Sequence, residues 1–236
     1  KQEFYFQTKF PGETASIAFQ SLTEQPLYID DVSIVPANRA DARQWADRIY
    51  ATMPAIAFKS TEYERQFLPH TIDKLKHGKP LNIVLLGDSI ANDLSNSFLD
   101  VLLEERFPKS VIEIQFTGKG STSWLKLQHQ VQQRIIAHQP DLVICEAISN
   151  DPKYLADPLS RIIDRTRKIN SNTEFLLVTT HLQNWSENEK DGLVYRNALL
   201  QVAKEKDIAV VDLMAFWKSY LAKNNWQVES LLRDSL

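Results

Sequence analysis

The sequence has little of what would place it in several protein classes. It contains a single cysteine, Cys145, so no disulfide can form within the chain. It has no run of about 18 apolar residues, the length that a membrane-spanning helix needs. Its 27 basic and 30 acidic side chains leave a formal net charge of -3, so no overall field favours nucleic acid or an anionic membrane surface. The 43% of apolar residues is enough for a buried core in one or two domains.

The pattern of apolar and polar residues in the first 80 residues differs from that in the rest of the sequence. Residues 1–36 alternate as strands do, and residues 27–35 are rich in β-branched and aromatic side chains, which predicts a strand. Three short strands do not make an independent sandwich, so they either pair with strands from outside this chain or pack on the following domain. The N-terminus reads as the middle of a strand, and we therefore expect an earlier part of the protein to precede it. Residues 37–80 read as a helical connector, with helices predicted over 41–50 and 61–75.

From residue 81 onward, five apolar strands alternate with helices, and we assign residues 81–236 to one main domain. Repeated strand–helix units predict an α/β fold with a parallel sheet covered by helices on both faces. The strands are predicted at residues 82–86, 111–116, 141–147, 174–180 and 208–213. The helices are predicted at residues 94–102, 123–138, 158–169, 189–206 and 215–223.

Small and polar residues follow the first three strands at their carboxyl ends, where open parallel sheets build their sites. Gly87-Asp88-Ser89-Ile90 follows the first strand, Thr117-Gly118-Lys119-Gly120 the second, and Ser149-Asn150-Asp151 the third. Each motif also has an ordinary interpretation as a turn, a loop or a helix cap. The second motif lacks the spacing of a phosphate-binding loop. The order of three motifs after three successive strands favours a functional site.

These residue types suit acyl transfer. A serine hydroxyl such as that of Ser89 becomes a good nucleophile when a base takes its proton. The N–H of Ser89, the N–H of Gly120 and the side-chain amide of Asn150 can together hold the oxyanion of a reacting ester. Asp88 is expected to shape the turn that presents Ser89 rather than to react.

The order of these motifs resembles the SGNH hydrolases, also called GDSL esterases, over about residues 81–236. The resemblance implies a flavodoxin-like, three-layer, doubly wound sheet of five parallel strands, preceded here by a short N-terminal β segment. It implies Ser89 as nucleophile and Gly120 and Asn150 as oxyanion donors. In this sequence Ile148 replaces the glycine that is usual two positions before the asparagine.

The last block of the family, Asp-x-x-His, carries the aspartate and histidine of the catalytic triad. Asp234 fits its first position, and the histidine is expected directly after Leu236, outside the sequence. We therefore expect the chain to continue beyond this point.

Two further residues are candidates for substrate binding. His181 follows the fourth strand and either contacts substrate or forms a hydrogen-bonded loop. Trp124 either stacks on a sugar near the site or packs in the core. No histidine pair has metal-site spacing with carboxylates nearby, so we predict no metal, and no cofactor is implied.

Tyr28-Ile29-Asp30-Asp31-Val32 resembles the final strand of β-sandwich carbohydrate-binding modules. Together with the esterase motifs, it implies a secreted, periplasmic or cell-surface enzyme that removes acyl groups, most often acetyl, from a polysaccharide or oligosaccharide. Two alternatives stay open. One is a lipid-directed esterase, lysophospholipase or thioesterase on the same scaffold. The other is a non-catalytic binding protein with a degenerate site, favoured by Ile148 and the absent histidine.

Overall fold

The chain separates into two compact units, residues 1–54 and residues 55–236. The computed structural model describes residues 28–36, 67–95, 97–120, 122–146, 154–179 and 189–224, together with the single positions 40, 41, 44, 48 and 51.

In the first unit, residues 28–36 have no regular secondary structure and their side chains are exposed. The strand predicted over 27–35 is therefore wrong for its described part, because β-branched residues make a strand only where a neighbour completes the hydrogen-bond ladder. Positions 41, 44 and 48 are helical, in agreement with the helix predicted over 41–50. The resemblance to a carbohydrate-binding module and the boundaries at residues 36 and 80 stay predictions.

In the second unit, five parallel strands form one sheet in the order β2-β1-β3-β4-β5. The chain moves outward from β1 to β2 and then returns to β3 on the other side of β1. This reversal is the place where open α/β sheets bind ligands. The strands are β1 (Leu81–Leu86), β2 (Ile112–Phe116), β3 (Leu142–Glu146), β4 (Glu174–Val178) and β5 (Ala209–Val211).

Helices connect the strands, and two of the predicted helices are interrupted. The helix predicted over 94–102 breaks at Ser97, whose hydroxyl bonds the carbonyl of Leu94 at 2.6 Å and competes with the helical pattern. The segment 123–138 forms three short pieces instead of one helix. The helices are α1 (Pro69–Lys76), α2 (Ser89–Ser95), α3 (Leu99–Arg106), α4 (Trp124–Leu127), α5 (Val131–Arg134), a 3₁₀ turn (Ile136–His138), α6 (Ala156–Ile169), α7 (Glu189–Glu205) and α8 (Leu213–Asn224).

Alternate residues of β1, β3, β4 and β5 enter two separate cores, one on each face of the sheet, whereas the apolar residues of the edge strand β2 enter only one of them. Val84 and Leu86 pack beneath α4, α6 and α7, whereas Ile83 and Leu85 pack beneath helices that include α2 and α3. The predicted three-layer, doubly wound α/β fold is confirmed.

Cys145 is fully buried in the first core, and burial raises the pKa of its thiol. Among the described helices, none has the length and apolar character needed to cross a bilayer.

The helix predicted over 61–75 begins at Pro69 in the structure, and residues 61–66 lie outside the described ranges. Proline suits the first helical position because its missing N–H is not needed there. The next two N–H groups, of His70 and Thr71, each donate at 2.8 Å to the carboxylate of Glu174, a buried residue at the start of β4. A remote side chain therefore caps α1 and attaches it to the amino end of the sheet.

We expect Glu174→Ala to lower the free energy of unfolding by roughly 2 kcal/mol, because it leaves two N–H groups at the start of α1 without their charged acceptor. Urea unfolding followed by tryptophan fluorescence measures the change. Glu113→Ala, which removes an exposed glutamate from β2, is the matched control and should change stability by less than about 0.5 kcal/mol. Equal losses in the two variants would contradict the capping role.

Candidate active site

Ser89 is presented by a tight turn between β1 and α2. Asp88 is buried, and its Oδ1 accepts the N–H of Ile90 at 2.9 Å, while its carbonyl accepts the N–H of Asn92 at 3.2 Å. These bonds close the first turn of α2 around Ser89, the first residue of that helix, whose side chain is exposed. The prediction that Asp88 shapes this turn is confirmed.

The loop after β2 lies against the turn that presents Ser89. Within it, the N–H of Lys119 donates to the carbonyl of Gly87 at 3.1 Å. A Cβ on Gly118 would lie 2.2 Å from that carbonyl oxygen and 2.5 Å from the ring of Phe116, so only glycine fits between them. The structure therefore brings the first two sequence motifs together at the carboxyl edge of the sheet.

Gly120 lies in a different environment from Gly118. It is exposed, and a Cβ built on it would meet no atom of the described residues within 4 Å. Packing against the described part of the chain therefore does not require glycine at this position.

Arg134 of α5 also binds the loop after β2. Its Nη1 donates to the carbonyl of Gly118 at 2.9 Å and to the carbonyl of Thr117, and its Nε donates to the side chain of Gln130. The sequence pattern does not indicate Arg134, because nothing in it distinguishes this residue from other arginines on helices.

A second polar cluster joins the carboxyl ends of β4 and β5. The Nε of Arg196 lies 2.8 Å and 3.0 Å from the two carboxylate oxygens of Asp212, and the hydroxyl of Thr179 lies 3.3 Å from one of them. The same hydroxyl accepts the N–H of Met214 at 3.0 Å, which ties the start of α8 to β4. Burial disfavours the charge of Asp212, but hydrogen bonds from Arg196 and from the N–H of Ala215 outweigh it and hold the pKa of Asp212 below its ordinary value.

Of the two candidate substrate-binding residues, the described part of the chain contains only Trp124. It is 2% exposed, lies in the core, and its Nε1 donates to the hydroxyl of Tyr195 at 2.8 Å. The ring is therefore enclosed by protein, as in the packing interpretation of this residue.

Three of the predicted site residues, Asn150, His181 and Asp234, lie outside the described residues, so their roles stay predictions. Over the ranges that the structure describes, no cluster of three or more histidine, cysteine or carboxylate side chains is arranged to hold a metal ion.

No protein-family model and no curated protein matches the sequence. Solved structures do match. A catalytic mutant of an acetylxylan esterase from Geobacillus stearothermophilus is 16% identical with a TM-score of 0.53, covering 66% of this chain and 85% of that one. An α/β hydrolase enzyme from the metagenome of Lake Arreo, Spain, is 18% identical with a TM-score of 0.54, covering 66% and 86%. A protein described as a GDSL-like lipase from Parabacteroides merdae is 15% identical with a TM-score of 0.51, covering 61% and 82%. The chain therefore shares the α/β fold of these structures.

The two loop glycines should differ sharply in their tolerance of a methyl group. We expect Gly118→Ala to lower the free energy of unfolding by about 2 kcal/mol or more, because its Cβ would overlap the Gly87 carbonyl. Gly120→Ala, with open space around it, should change it by less than about 0.5 kcal/mol. Thermal unfolding monitored by circular dichroism compares the two variants. Equal stability of the variants would show that the loop after β2 does not pack against the turn at Gly87 as described.

The pair of Arg196 and Asp212 predicts a pH dependence of stability. Because folding lowers the pKa of Asp212, the pair stabilises the folded state above the ordinary aspartate value of about 3.9, and this contribution is lost as the pH falls through the folded pKa. Arg196→Met should therefore unfold at lower urea than the unmodified protein between about pH 5 and pH 8. The difference should shrink below about pH 4.

A matched control for this pair is Lys206→Met. It removes a cation whose Nζ lies 2.7 Å from Asp164, in a pair whose carboxylate is far more exposed. This variant should show the smaller loss of stability, because exposed ion pairs contribute little. A loss in Arg196→Met that does not change with pH would contradict the assignment of Asp212 as the titrating partner.

Proposed function

We propose that this protein is a serine esterase that hydrolyses acyl esters with Ser89 as the nucleophile. The observation that carries the proposal is the placement of Ser89. Its side chain is exposed on the first residue of α2, at the carboxyl end of β1 and beside the reversal of strand order. The loop that contains Gly120 is hydrogen-bonded to the same turn. The solved esterase and lipase structures with this fold support the reaction class.

In the proposed reaction, the hydroxyl oxygen of Ser89 attacks the ester carbonyl carbon. Its proton passes to the histidine proposed directly after Leu236, which Asp234 orients. The N–H groups of Ser89 and Gly120 and the amide of Asn150 hold the negative oxygen of the tetrahedral intermediate. The histidine then returns the proton to the leaving alcohol, and water hydrolyses the acyl-enzyme by the same steps.

The proposed substrate is an O-acetylated polysaccharide or oligosaccharide, met by a secreted, periplasmic or cell-surface enzyme. The observation that supports a carbohydrate ester is the fold, which is shared with an acetylxylan esterase. His181 is proposed to contact the sugar.

The proposal predicts activity that depends on Ser89. Two forms should be compared, residues 1–236 and the chain extended past Leu236 by its native sequence, with p-nitrophenyl acetate as substrate. The extended form should turn over, and Ser89→Ala should lower kcat at least about 10³-fold, because the nucleophile is lost. Ser219→Ala, which removes an exposed serine from α8, is the matched control and should keep full activity.

Two further substrates test the acyl and alcohol preferences. Release of acetate from acetylated xylan supports the carbohydrate proposal, whereas preference for p-nitrophenyl palmitate indicates a lipid-directed esterase. If the extended chain is no more active than its own Ser89→Ala variant on any of the three substrates, the esterase proposal fails and a binding role replaces it.

A further inference from the structure

Arg134 binds two successive carbonyl groups of the loop that leads to Gly120. Its Nη1 donates to the carbonyl of Gly118 at 2.9 Å and to the carbonyl of Thr117. The planar guanidinium presents several N–H groups in fixed directions, so one side chain can bind more than one carbonyl oxygen.

These bonds fix the orientation of the Gly118–Lys119 peptide group, one group before the peptide that carries the N–H of Gly120. The carbonyl of Gly118 and the N–H of Lys119 belong to one planar peptide and point in opposite directions. The carbonyl binds Arg134, and the N–H donates to the carbonyl of Gly87 at 3.1 Å. The peptide is therefore held from both sides, between α5 and the turn that presents Ser89.

Arg134 is itself anchored in the structure. Val131 and Ile135, on the same short segment, are each 1% exposed and belong to the core. The Nε of Arg134 also donates to the side chain of Gln130, which orients the guanidinium along the helix. Arg134 therefore binds the loop from a helix that is itself fixed in the core.

We propose that Arg134 is a positioning residue, which aims the N–H of Gly120 at the oxyanion of the reacting ester. This inference rests on the proposed esterase function. The N–H of Gly120 belongs to the next peptide group along the chain, so only the two backbone dihedral angles of Lys119 separate it from the peptide that Arg134 holds. Because oxyanion donors act through preorganised geometry, a small rotation of this loop reduces transition-state stabilisation more than substrate binding.

The test compares kcat and KM for p-nitrophenyl acetate in the extended chain and in Arg134→Met and Arg134→Lys. We expect Arg134→Met to lower kcat about 10- to 100-fold, with KM changed less than about threefold, because the loss falls on the transition state. Arg134→Lys should recover part of kcat, since an ammonium group can still bind one of the two carbonyls.

Arg165→Met is the matched control. Arg165 also donates from a helix to a backbone carbonyl, that of Gln128, at 2.8 Å, but it makes no described contact with the loop before Gly120. This variant removes the same kind of bond and should keep the kcat of the unmodified protein. Hydrogen exchange of the Lys119 amide provides an independent readout, which should speed up in Arg134→Met and stay unchanged in Arg165→Met.

The outcomes separate the two proposals. If Ser89-dependent activity is present and Arg134→Met keeps its kcat and its slow Lys119 exchange, the positioning role is overturned and the esterase stands. If Arg134→Met does not fold, the same comparison is made with Arg134→Lys, for which an unchanged kcat overturns the role. If the extended chain lacks Ser89-dependent activity, the esterase proposal is overturned and the catalytic role of Arg134 with it.

Discussion

The close approach of two loops at the carboxyl edge of the sheet is the constraint on which the candidate site depends. Parallel pairing of β1 with β2 ends with Leu85 opposite Phe116, so the residues that follow must pass one another immediately above the sheet. Gly118 permits this passage because a side chain there would overlap the carbonyl of Gly87. Ser89 and Gly120 lie at the same edge of the sheet because the two strands that precede them are neighbours in it.

The two ends of the sheet have different polar networks. At the amino end, Glu174 caps α1, and Asp141 accepts the N–H of Asn82 at 3.0 Å and pairs with Lys74 at 2.6 Å. These bonds join parts of the chain that are distant in sequence and stabilise the fold. At the carboxyl end, the polar groups orient loops and leave the side chain of Ser89 exposed. Polar groups therefore stabilise the fold at both ends of the sheet, and at the carboxyl end they also orient the loops of the candidate site.

The order of strands and helices was predictable because β1, β3 and β4 are buried on both faces, which makes them short, nearly continuous apolar runs. The edge strand β2 instead alternates apolar and polar residues. The placement of Ser89 and Gly120 after β1 and β2 followed from that order, since parallel strands end at the same edge. Residues 28–35, the described part of the strand predicted over 27–35, show where the pattern fails, because β-branched residues indicate a preference for strands but do not specify which segment they pair with. The bonds of Arg134 and Glu174 could not be predicted, since each joins segments whose proximity only the folded chain reveals.

Covalent labelling is the sharpest test of Ser89 as an activated nucleophile. The extended chain would be treated with a fluorophosphonate, which reacts with activated serines, and the adduct located by mass spectrometry of proteolytic peptides. We expect one adduct, on the peptide that contains Ser89, and no adduct in Ser89→Ala. An unlabelled Ser89, or labelling that persists in Ser89→Ala, would rule out Ser89 as the nucleophile.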